Sequence, residues 1–185
     1  IISFTVFWFV SSSGLIKKSI YNKYSFEKAS VKHILFKRCF GFFCLGAIPL
    51  ALCFIFLPSF SLSSIGIDYI PETALYSLKW ILILNILIIP FIITKAKRPK
   101  NLKKYPQIQR KIWNRKTVFL NAAGWFIYIL AYEVLFRGIL LFPLVNSLGV
   151  WPAIAINVAL YMAINIPKGP EETIWNTLLG IVFCL

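Results

Sequence analysis

Of the six carboxylates in this 185-residue chain, only Glu133 lies deep inside a hydrophobic run; Glu27, Asp68, Glu72, Glu171 and Glu172 fall in loops or at helix ends. An ionised side chain inside lipid costs about 2.5–3.5 kcal/mol even on a lenient insertion scale, so it asks for a partner or a function. Arg137 stands one helical turn on, in the right order and spacing for a Glu–Arg pair. Pairing lowers the cost of both charges and also holds a carboxylate where water is scarce. Counting along the helix from Thr117 puts Glu133 about 24 Å in, whereas centring the run 117–145 puts it near the midplane. Gly138 and Pro143 can bend or end that helix.

The next apolar segment carries a polar stripe of its own. Asn157, Tyr161 and Asn165 recur at i, i+4 and i+8, on one face of a helix. Only about four residues separate the two segments, so they are expected to pack as antiparallel neighbours. The economical arrangement turns the stripe toward Glu133 and Arg137, with amide and phenol groups donating to the carboxylate and the asparagines accepting from the guanidinium. Two readings stay open. The polar groups either tie two helices together, or they line a wet cavity in which the carboxylate activates water or moves a proton.

Other polar positions invite blander readings. Lys79 is near the end of its segment and can snorkel. Asn85 is expected to bond a neighbouring helix, and Glu171 and Glu172 suit the positive end of a helix starting at Pro170. His33, the single histidine, lies in a basic stretch far from Glu133 in sequence. Cys44, Cys53 and Cys184 sit in apolar runs and read as buried thiols; Cys39, beside Arg38, is a candidate for S-acylation. There is no CxxC, and one histidine with one buried carboxylate is too short a ligand set to support a metal. No cofactor is implied.

The elements that must position these groups are membrane helices. The chain is 59% hydrophobic and 14% charged, with mean hydropathy +0.77, too apolar for a water-facing surface. Runs at Ile1–Ile16, Cys39–Leu57, Thr73–Thr94, Thr117–Val145, Val150–Ile166 and Thr173 onward give about six candidate segments of an all-α, polytopic transmembrane bundle. Loop 17–38 holds seven basic residues and loop 95–116 holds ten, including Arg110, Lys111, Arg115 and Lys116 around Trp113; loop 58–72 holds only Asp68 and Glu72. Two segments separate the basic loops, so both are expected in the cytoplasm and the N-terminus outside. The net charge of +14 then follows topology, with anionic lipid headgroups as partners of the basic loops and no nucleic acid. No internal repeat points to an inverted-repeat transporter. Starting at Ile1 and stopping at Leu185 within an apolar run, the chain reads as a fragment.

The stretch Tyr132-Glu133-Val134-Leu135-Phe136-Arg137-Gly138, with Ile139-Leu140-Leu141 after it, resembles the first motif, Glu-Glu-x-x-x-Arg, of the CAAX-protease and bacteriocin-processing (CPBP) family of membrane endopeptidases. Tyr161-Met162-Ala163-Ile164-Asn165-Ile166-Pro167 resembles its second motif, Phe-x-x-x-His. The resemblance covers residues 117–185 and divides the chain into N-terminal membrane helices, 1–116, and a CPBP-like core. It implies peptide-bond hydrolysis in or beside the membrane, on a peptide or protein substrate, with Glu133, Arg137 and Asn165 as the catalytic set and Tyr132, Asn157 and Tyr161 supporting it. Tyr132 stands where the family has its leading glutamate, and Asn165 where it has histidine. A phenol, with a pKa of about 10, is a poor base at neutral pH, which leaves that task to Glu133; asparagine can hold a water or an oxyanion but cannot shuttle a proton. The family's third motif would fall after Leu185. The substitutions also motivate an alternative, a non-catalytic scaffold or chaperone that keeps the protease fold.

Overall fold

A computed structural model describes residues 2–68, 70–166 and 169–184. Pro167, which closes the second motif-like stretch, lies outside the described residues, as do the side chains of Lys100, Lys103 and Lys104 from the basic run. Among the described residues the regular structure is helical, with no strand. The helices are α1 (Ile2–Ser12), α2 (Gly14–Lys23), α3 (Phe26–Phe56), α4 (Pro71–Ala96), α5 (Pro99–Lys104), α6 (Arg115–Leu148), α7 (Val150–Ala163) and α8 (Pro170–Val182). Helices α3, α4 and α6, of 31, 26 and 34 residues, are long and apolar enough to cross a membrane. With about 30 Å of hydrocarbon to span, each has length to spare. Apolar helices α1 and α7 are shorter, at 11 and 14 residues.

Two expectations need correcting. The stretch 17–38 is not a loop: α2 occupies its first part and α3 begins at Phe26. No proline or glycine interrupts residues 26–38, and lysine, alanine, leucine and glutamate are good helix formers, so the basic residues extend the span rather than precede it. The first apolar run, in turn, is broken at Ser13. The serine triplet competes for its own backbone there: Ser11 Oγ donates to the Trp8 carbonyl at 3.3 Å, and the Ser13 amide closes a tight turn on Val10.

The chain forms two compact units. One comprises 1–13, 37–67 and 123–185, and holds α1, most of α3, most of α6, α7 and α8. In it Phe7, Cys44, Leu45 and Ala131 are buried together, with Phe4, Phe40, Tyr128 and Tyr132 packed around them. A Cβ added at Gly46 would come 2.8 Å from the Ala131 Cβ, so the missing side chain is what lets α3 and α6 approach, as small residues do between membrane helices. A second cluster joins Leu141, Ala153 and Ile154. Gly149, at φ +84°, makes the reversal between α6 and α7 in a conformation that few other residues tolerate. The other unit, 14–36 and 68–122, contains the first turns of α3 and α6; there Ile108 and Ala29 are fully buried, and the Gln109 amide donates to Ser30 Oγ at 2.7 Å.

Candidate functional site

Helix α6 does not end at Gly138 or Pro143; it widens. Residues Val134–Leu141 are π-helical, and α-helix resumes at Phe142. Pro143 brings no N–H to the ladder, and wide turns of this kind frequently accompany functional sites. The wide segment starts immediately after Glu133 and contains Arg137.

The two charges meet as their spacing requires. Arg137 Nε lies 3.2 Å from Glu133 Oε2, with the arginine side chain 14% exposed and the glutamate 35%. The contact is electrostatic rather than a well-aligned hydrogen bond: among the described residues, Arg137 Nε, Nη1 and Nη2 are buried and find no acceptor. Three guanidinium nitrogens therefore keep their hydrogen-bonding capacity beside a half-buried carboxylate, a costly arrangement in the protein alone. The guanidinium carbon lies 4.9 Å from the centre of the Tyr161 ring and 5.7 Å from that of Phe183, so aromatic faces rather than amides hold the cation.

The polar stripe is partly redirected. Tyr161 does face the pair, but by its ring: it packs edge-on against Tyr132 and Phe136, at centroid distances of 5.6 and 5.3 Å. Asn157 is fully buried, and instead of meeting Glu133 or Arg137 it donates Nδ2 to the Phe136 carbonyl at 2.6 Å. In place of the side-chain partner expected from sequence, a buried main-chain carbonyl of the widened helix takes the amide. Its Oδ1 accepts from Cys184 Sγ at 3.5 Å. Asn165, 1% exposed, spends its amide on helix ties. Nδ2 donates to the Tyr161 carbonyl at 2.7 Å, Oδ1 accepts from Asn176 Nδ2 at 3.0 Å, and its carbonyl accepts from Thr173 Oγ1 at 3.0 Å. The Tyr132 ring packs at a tilt against Phe136 and Tyr128, at centroid distances of 5.0 and 5.8 Å.

The structure thus brings Glu133, Arg137, Tyr132 and Tyr161 into one aromatic-walled site, with Asn157 behind it, while Asn165 joins α7 to α8. Phe183, Asn176 and Thr173 take part without having been singled out from sequence, and Cys184 was read there only as a buried thiol; all lie on the last apolar stretch, whose facing cannot be read from a pattern with so few polar landmarks. Among the described residues no group of three or more His, Cys, Asp or Glu side chains could hold a metal ion. Cys39 is exposed, Cys44 is buried, and Cys53 and Cys184 are half-buried. Arg38, read from sequence as a loop residue, is 4% exposed within α3, its guanidinium 4.5 Å from the centre of the Trp125 ring.

Neither a curated protein nor a solved structure matches the chain. A family model does: the one described as Rce1-like, type II CAAX prenyl endopeptidase Rce1-like, matches residues 113–185, the stretch that contains α6, α7 and α8 and hence the whole Glu133–Arg137 site. By that match, the 113–185 part of this membrane protein is similar to the CAAX-protease (CPBP) family, as its motif-like stretches suggest.

Proposed function

We propose that the chain is an intramembrane endopeptidase of the CAAX-protease type that hydrolyses a peptide bond with carboxylate-activated water. The observation that carries this reading is the Glu133–Arg137 pair in the widened part of α6, with guanidinium nitrogens that have no acceptor among the described residues. Glu133 takes a proton from water as the water oxygen bonds to the carbonyl carbon. The carbonyl oxygen gains negative charge, and the Arg137 N–H groups are the donors at hand for it. Collapse of the adduct breaks the C–N bond, and the proton held by Glu133 passes to the leaving amine. Substrate is a peptide or protein segment within or beside the bilayer, and the basic stretches 17–38 and 95–116 face the cytoplasm. Purified protein should cleave a membrane-peptide substrate, and Glu133→Gln should abolish cleavage; undiminished turnover by that variant would end the proposal.

A second reading, a scaffold or chaperone that keeps the protease fold, is favoured by two contacts. Tyr132 is packed against three aromatic rings, and Asn165 is engaged on both amide atoms, so neither resembles a group poised for proton transfer. This reading expects Glu133→Gln to leave partner binding intact, and strict dependence of binding on the carboxylate would refute it.

A further inference from the structure

A cleft of about 330 Å³ opens where α3 and α6 begin, lined by Glu27 and Lys28 from the first turn of α3 and by Arg110, Asn114, Lys116 and Thr117. It is a built feature. Thr117, 2% exposed, accepts from Arg110 Nη1 and is capped by Asn114, whose Oδ1 accepts from the Thr117 amide at 2.9 Å and from its hydroxyl at 2.7 Å. The stretch before α6 is tied to α3 by the Gln109–Ser30 bond and by the Lys111 amide on Glu27 at 3.4 Å.

Its charge is unbalanced. Three cations face one carboxylate, and Glu27 lies 3.7 Å from Arg110 while accepting from Lys111, which leaves the Lys28 and Lys116 ammonium groups uncompensated by an ion pair among the described residues. The positive end of α6 adds to the same sign. The cleft's depth follows from the helices. At 31 and 34 residues, α3 and α6 run about 46 and 51 Å, well beyond about 30 Å of hydrocarbon. With their apolar stretches in lipid, the excess length carries the basic first turns out of the hydrocarbon, side by side on the polar face of the bilayer.

We propose that this cleft binds a phosphate-bearing anion and takes it from the headgroup of an anionic membrane lipid. Lys28, Arg110 and Lys116 supply the charge and donors, and Thr117 with Asn114 forms the floor. The inference is independent of proteolysis at Glu133.

The full chain is reconstituted in nanodiscs of phosphatidylcholine containing phosphatidylglycerol, released into mild detergent, and its retained lipids are counted by native mass spectrometry. Phosphatidylglycerol should be retained over phosphatidylcholine, and Lys28→Gln and Lys116→Gln should each lower that retention about fivefold. Both lysines are exposed, and unchanged helical circular dichroism checks that the variants fold. The charge-matched pair Lys97→Gln and Arg98→Gln should leave retention unchanged; an equal loss there would reduce the effect to diffuse surface charge and overturn the proposal. So would equal retention of the two lipids. Displacement of the lipid by excess inorganic phosphate, with equal phosphate binding to lipid-free protein, would assign the cleft to a soluble anion and overturn the lipid as its source.

Discussion

Arg137 meets a carboxylate and two aromatic rings with one guanidinium, and its planarity matters as much as its charge. Arg137→Lys keeps the charge and loses the flat face. With a cation–π contact worth about 0.5–2 kcal/mol, the initial rate of peptide cleavage is expected to fall about three- to thirtyfold. Tyr161→Phe keeps the ring and should stay within about twofold of the parent rate, while Tyr161→Leu should match Arg137→Lys. Asn157→Leu tests a different role. It strands the Phe136 carbonyl and removes the acceptor for Cys184, and should lower stability by about 1–2 kcal/mol, read as an earlier midpoint in detergent-micelle unfolding. At this scale the Glu133–Arg137 contact was legible because i,i+4 geometry is local to one helix. The destination of Asn157 was not, because it depends on a carbonyl twenty-one positions away, on another helix.

Helices α3 and α6 touch through Gly46 and Ala131, and a Cβ at Gly46 has no room. Gly46→Val is therefore expected to cost about 1–3 kcal/mol, detected as a lower denaturation midpoint in a titration of mixed micelles with a harsh detergent, with Gly14→Val, which meets nothing within 4 Å, as the mild comparison. Both sites of helix widening, Phe43–Ala47 in α3 and Val134–Leu141 in α6, escape a periodicity argument, since one residue of drift does not disturb a run that is apolar on every side. The same blindness explains the ends of α3. A lysine-rich segment without proline or glycine remains helical, and charge says where a span meets water rather than where a helix stops.

The molecule is a membrane protein, with three helices long enough to cross among the described residues, and it should remain with the membrane pellet after alkaline carbonate extraction. If the basic stretches face the cytoplasm, trypsin should cut between Lys97 and Lys116 in inside-out vesicles and spare sealed right-side-out ones; the opposite pattern would reverse the orientation. Helical class and membrane residence were determined by the sequence alone, because both follow from the sum of apolar transfer energies and the need of every backbone amide in lipid for a partner. The charge pair was determined too, since neighbours one turn apart meet whatever surrounds them. Tertiary structure alone decided that aromatic faces, not asparagine amides, hold the arginine, that Asn165 ties α7 to α8, and that two helix starts enclose a basic cleft. Those outcomes depend on which faces of different helices meet, and a uniformly apolar surface carries little record of its own facing.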